Sequence, residues 1–197
     1  MEIREARKLY HEFNSLDDHH DKYNVPFPIG VFGTLRQLPN DQGNARRMFT
    51  RQPVIHQKAF LPHYTSSGIW LDFKEGASGV IELYYYKAED FPAVIERVDA
   101  LEGFSPDHSF GYWRTLMEVK VLPDDYEHEL FETSIRTGDR DLCIPEEKWD
   151  FPCVPAWVYS NADSNRACQS CFCNPHDDLL DNGPRRSTWA SPLLWWK

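Results

Sequence analysis

Basic residues are scarce in this chain. Its 21 Lys and Arg face 31 Asp and Glu, a formal net charge of -10, and no basic run occurs. A surface of that sign repels a polyphosphate backbone, so nucleic acid is not an expected partner. Long apolar runs are missing as well. No stretch reaches about 18 apolar residues, so no membrane-spanning helix is predicted and no membrane partner is expected. The opening MEIREARKLY is charged and lacks the apolar segment of a signal peptide. Cysteine is sparse and odd in number: Cys143, Cys153, Cys168, Cys171 and Cys173. Without a secretion signal, that count predicts reduced thiols and a cytoplasmic protein rather than a disulfide framework. Internal repeats and low-complexity tracts are absent. So are the phosphate loops GxGxxG and GxxxxGK and the nucleophile elbow GxSxG, so no nucleotide-loop or serine-hydrolase signature is present.

What is present is an ordinary globular mixture, 41% hydrophobic and 26% charged over 197 residues. That suits one domain with a proper core. Ile3, Ala6, Leu9, Tyr10 and Phe13 follow a 3.6-residue period and predict a helix over 2 to 14. A polar linker ending at two prolines follows it. Ile29 to Phe32 reads as a strand, VIHQKAFLPHY as a second, and Ser78 to Tyr86 as a β-branched and aromatic third. The period then changes. Phe91, Val94, Ile95, Val98 and Leu101 share one helical face, with Asp90 or Phe91 ahead of the helix, Pro92 in its first turn and Gly103 as its stop. YWRTLMEVKV alternates, with Trp113, Thr115, Met117, Val119 and Val121 on one side. Residues 122 to 152 are acidic and irregular. Pro155 to Ser160 is a last short strand, and from about Asn161 the chain reads as an extended tail. Strands with an N-terminal and an internal helix predict an α+β fold, a small barrel carrying a helix.

Four segments hold candidate chemistry. In VFGTLR, Gly33 permits a turn with positive φ, and successive N–H groups there form a nest for an anion. Thr34 adds a hydroxyl and Arg36 a positive charge. The same residues also suit a plain strand-to-loop turn. In VDALEGF, Asp99 and Glu102 stand three residues apart on roughly one helix face. One carboxylate is free to pair while the other points into a cleft. Glu102 has the apolar neighbours Leu101 and Phe104, and burial there would raise its pKa into the range for proton transfer. A solvated helix-end acid is the competing reading. In CQSCFCNPH, the residues Cys168, Cys171, Cys173 and His176 have a C-x2-C-x-C-x2-H spacing, open to structural zinc or to free thiols. The apolar terminus with Trp189, Trp195 and Trp196 suits either covering of the domain's own core or self-association. His56, His63, His108 and His128 are scattered and read as surface or structural histidines.

Taken in order, several of these pieces resemble one family. VFGTLR looks like the YGTL signature of the γ-glutamylcyclotransferase-like, or AIG2-like, proteins. SGVIELYYY looks like the family's G-x-ElY strand, and VDALEGF like its LDxxEG segment. YWRTLMEVKV resembles its YxRxxVxV strand and AWVY its closing AxxY strand. The resemblance runs from about residue 29 to 160. It covers the domain expected over 28–160; the helix and linker expected over 1–27 and the Cys/Trp-rich tail expected over 161–197 lie outside it. The implied domain is a small mixed-sheet β-barrel with surrounding helices. The implied reaction releases 5-oxoproline from a γ-glutamyl amine or peptide with no required cofactor. Carried onto this chain, Glu102 would be the catalytic acid/base. Gly33, Thr34 and Leu35 would offer backbone N–H groups to the substrate α-carboxylate. Tyr159 would be a cavity hydroxyl, while Tyr112 and Arg114 match YxR. Phe32 stands where the motif has tyrosine, and Val98 where leucine is usual. The lost hydroxyl at Phe32 supports a second expectation, a non-catalytic module that keeps the cavity and binds a small anionic metabolite.

Overall fold

The computed structural model describes residues 23–36, 49, 53–67, 70–105, 108–109, 112–132 and 140–160. The helix expected over 2 to 14, the Cys168, Cys171, Cys173 and His176 group and the tryptophan terminus lie outside the described residues. The barrel strands are β1 (Ile29–Val31), β2 (Ile55–Ser67), β3 (Trp70–Tyr85), β6 (Trp113–Val121) and β7 (Cys153–Ser160). They close in the order β1-β3-β2-β6-β7. The sheet is mixed. Ile29 lies opposite Trp157 in a parallel pair, while every other neighbouring pair is antiparallel. The helix α1 (Phe91–Glu102) connects β3 to a two-stranded ladder of β4 (Phe104–Ser105) and β5 (His108–Ser109).

Alternation of side chains explains how the strands share their faces. Ala59 and Leu61 of β2 and Ile81 and Leu83 of β3 meet Met117 and Val119 of β6 and Val154 and Ala156 of β7 in one buried cluster. This is the inside row of the barrel. The intervening residues Tyr84, Leu116, Trp157 and Tyr159 face outward, yet they are buried too, because α1 lays Phe91, Val94, Ile95 and Val98 against them. Full burial of each such side chain stabilises the fold by about 1.5–3 kcal/mol. The alternation expected in β6 therefore marks the inside row but not an exposed back: Arg114, Leu116 and Glu118 are buried as well.

Helix α1 matches its expected limits. Asp90 precedes it, Pro92 sits in the first turn, and Gly103 at φ 69° sends its N–H back to the Asp99 carbonyl. An L-residue with a side chain disfavours that left-handed conformation, so the glycine ends the helix where it does. Leu101 departs from expectation, being 45% exposed. Strand β3 is longer than the expected start at Ser78. Its first half, from Trp70, pairs with the end of β2 beyond a bulge near Tyr64. Lys74, Glu75 and Gly76 lie in that irregularity and are exposed, while Leu71 and Phe73 before them join the buried inner cluster. Residues 122 to 132 and 140 to 152 coil over the outside of β2 and β3. Phe131, Leu142, Ile144 and Trp149 cover Phe60 and Val80.

Candidate active site

Where β1 ends, the chain turns. Phe32 is extended, Gly33 has φ 60°, and residues Gly33–Leu35 form one turn of 3-10 helix. The Leu35 and Arg36 N–H groups donate to the Phe32 and Gly33 carbonyls, each at 3.3 Å. The Gly33 and Thr34 N–H groups open the turn, so its own ladder holds no acceptor for them. The Tyr84 hydroxyl lies 3.2 Å from the Leu35 carbonyl and steadies the turn from β3.

This turn forms one wall of a cavity of about 340 Å³. The last residues of α1, Leu101 and Glu102, form another, and Tyr112, Tyr159 and Trp70 complete it. Gly30 and Val31 also line it. The volume falls within the range of small-molecule sites, ~300–1,000 Å³. Seven of the residues named from the sequence are thus brought to one space: Phe32, Gly33, Thr34, Leu35, Glu102, Tyr112 and Tyr159.

The two carboxylates at the end of α1 have separate surroundings. Asp99 accepts a 2.6 Å hydrogen bond from the Tyr159 hydroxyl and lies 3.3 Å from Nε of Arg114. Burial pushes the Asp99 pKa up, while Arg114 and Tyr159 pull against that rise. Arg114 is itself buried in a box of rings, with its guanidinium carbon 5.1 Å from the Tyr23 centroid, 5.3 Å from Phe104 and 5.0 Å from Trp157. Glu102 faces the cavity instead. Burial raises its pKa from an ordinary 4.5 to about 7. Its backbone carbonyl accepts the Tyr112 N–H at 3.0 Å, which ties the acid's residue to the opposite wall. Tyr159 is buried, and its pKa is driven well up by burial, so the hydroxyl keeps its proton and donates it to Asp99.

Arg36 is not brought to the cavity. A charge at the end of the turn was expected to serve the anion site, but its side chain is 1% exposed and runs the other way. Nε donates to Glu82 at 3.0 Å and Nη2 to the Leu130 carbonyl at 2.7 Å. His56 Nε2 lies 3.0 Å from the other Glu82 oxygen. Burial pushes Glu82 up, but the His56 and Arg36 contacts outweigh it and leave its pKa below the usual value. A buried guanidinium needs a counter-charge, and Glu82 supplies it.

Comparison with known protein families, with curated proteins and with solved structures finds no match. Among the described residues, no three His, Cys, Asp or Glu side chains gather as a metal site. Cys143 is exposed and Cys153 buried, both free thiols. Among the described residues no helix is long and apolar enough to cross a membrane. Trp70 is not among the residues that the sequence singles out, because the exposed Lys74, Glu75 and Gly76 separate it from the buried strand pattern that follows.

Proposed function

We propose that this chain is a γ-glutamylcyclotransferase-like enzyme that releases 5-oxoproline from a γ-glutamyl amine or peptide, with Glu102 as general acid/base. One observation carries the reading: a carboxylate with its pKa raised to about 7 shares a small cavity with the Gly33–Leu35 turn. The Gly33 and Thr34 N–H groups hold the substrate α-carboxylate without a side-chain cation; the Leu35 N–H, expected to share in this, donates to the Phe32 carbonyl instead. The α-amine then attacks the γ-carbonyl of the same molecule, and proximity lowers the barrier. Glu102 takes a proton from the attacking nitrogen as the ring C–N bond forms. It returns that proton to the leaving nitrogen as the original C–N bond breaks. The products are 5-oxoproline and a free amine, with no net oxidation or reduction. A pKa near neutrality suits both directions of transfer.

The test is to incubate the protein with γ-glutamyl amines and γ-glutamyl dipeptides and to measure 5-oxoproline. Glu102→Gln should abolish release while the chain stays folded, and unchanged turnover in that variant would overturn the assignment. Phe32 supports the second reading, a module that binds without reaction. Its ring places no hydroxyl on the cavity wall where the resembled signature has one. Thermal stabilisation by γ-glutamyl compounds with no product would favour that reading.

A further inference from the structure

The cavity changes character from floor to mouth. Gly30, Val31, Leu35 and Tyr159 are buried, whereas Phe32 and Tyr112 are half-buried. Trp70 and Leu101 are each 45% exposed, which puts them at the opening. An exposed tryptophan and an exposed leucine on a cavity rim are apolar surface left for something to cover. The rings are also arranged in series. Phe32 meets Tyr112 edge-on, with centroids 6.2 Å apart at 77°. Tyr112 meets Trp70 at 5.5 Å and 45°. An aromatic wall therefore leads from the Gly33–Leu35 turn to the outside.

Charge narrows what that wall accepts. Among the described residues, those lining the cavity include one acid, Glu102, and no Lys or Arg. Asp72 also bears on the Tyr112 hydroxyl, which burial and the two carboxylates push up to about 12. A leaving group with its own carboxylate would meet repulsion and find no cation. A cationic leaving group would pair with Glu102 and lower its basicity, weakening the base that must take the proton from the attacking nitrogen. A neutral ring meets neither objection, and aromatic pairs add to the area they bury.

We propose that the rim of Trp70, Leu101, Phe32 and Tyr112 is a subsite for an uncharged aromatic leaving group, which makes γ-glutamyl derivatives of aromatic amines the substrate class. This rests on the cyclotransferase reading, and the experiment separates the two. The chain with Glu102→Gln is titrated by calorimetry with γ-glutamyl anilide, γ-glutamyl methylamide, γ-glutamyl glutamate and the γ-glutamyl amide of 1,5-diaminopentane. The anilide is expected to bind about tenfold tighter than the methylamide, the equivalent of about 1.4 kcal/mol. Adding Trp70→Ala should shrink that ratio to about twofold, and Leu101→Ala should shrink it in part. Both side chains are nearly half exposed, so thermal unfolding should show both variants folded. Equal binding of anilide and methylamide, or tighter binding of the charged ligands, would overturn the subsite. Turnover by the unmodified chain is then measured with the same compounds. Methylamide turnover without aromatic preference sinks the subsite and keeps the reaction. Trp70-dependent anilide binding without 5-oxoproline sinks the reaction and keeps the subsite. Binding of none of them sinks both.

Discussion

Replacing Glu102 by Gln should stabilise the fold at high pH and leave it unchanged at low pH. In the folded chain, burial raises the pKa of Glu102 from 4.5 to about 7. The unfolded chain exposes the same acid to water, where it titrates near its ordinary value. Between those two pH values the folded state holds a proton that the unfolded state has lost. Stability therefore falls as pH rises from about 4.5 to about 7, and above that the penalty of an ionised buried carboxylate is complete. A shift of this size corresponds to up to about 3 kcal/mol, less whatever water entering the cavity mouth screens. Gln has the shape of the protonated acid and never ionises, so the variant escapes the penalty. Urea denaturation of both proteins at pH 3.5 and pH 8.5 measures it. The two should match at pH 3.5, and the variant should lead by about 1–3 kcal/mol at pH 8.5. That gain is a Tm rise of roughly 2–4 °C per kcal/mol for a domain of this size. An equal difference at both pH values would refute a raised pKa at Glu102. It would also remove the physical ground for making this residue the acid/base.

The same titration predicts that kcat/KM for 5-oxoproline release rises with pH through about 7, as free Glu102 becomes the base; a profile flat from pH 5.5 to 8.5 contradicts it. Glu82→Gln leaves the buried Arg36 without its counter-charge and should cost about 3–5 kcal/mol in urea denaturation. Asp99→Asn removes the charge opposite Arg114 while keeping an acceptor for Tyr159, with a cost of about 3 kcal/mol by the same measurement. Phe32→Tyr adds a hydroxyl to a half-buried ring on the cavity wall rather than in the core, so thermal unfolding should move by less than the equivalent of about 1 kcal/mol.

Some elements were legible because their signal is local. The helical period of Phe91, Val94, Ile95 and Val98, the proline at its start and the glycine at its end are all contained in about a dozen consecutive residues. The strand pattern of Ser78 to Tyr85 is equally local, since those residues are buried along their whole length. The first half of β3 carried no such signal. Lys74, Glu75 and Gly76 are exposed in the irregularity that separates the paired residues Trp70 to Phe73 from the buried run that begins at Ala77. Arg36 shows the same limit from the other side. Beside Gly33 and Thr34 it reads as a charge for an anion, but its partner, Glu82, lies 46 residues away and comes into reach across the paired β1 and β3.

By itself, the sequence determined where α1 begins and ends, that a glycine turn follows β1, and that two acids close the helix. Helical period, a proline and left-handed glycines suffice for that. It could not divide the work between Asp99 and Glu102 by charge environment, because a pKa depends on neighbours in space. Closing the barrel aligns Arg114 of β6 with Tyr159 of β7. Asp99 meets them there as an ion-pair partner and hydrogen-bond acceptor. Glu102, three residues on and one turn nearer the cavity, is left with burial as the cause that shifts it.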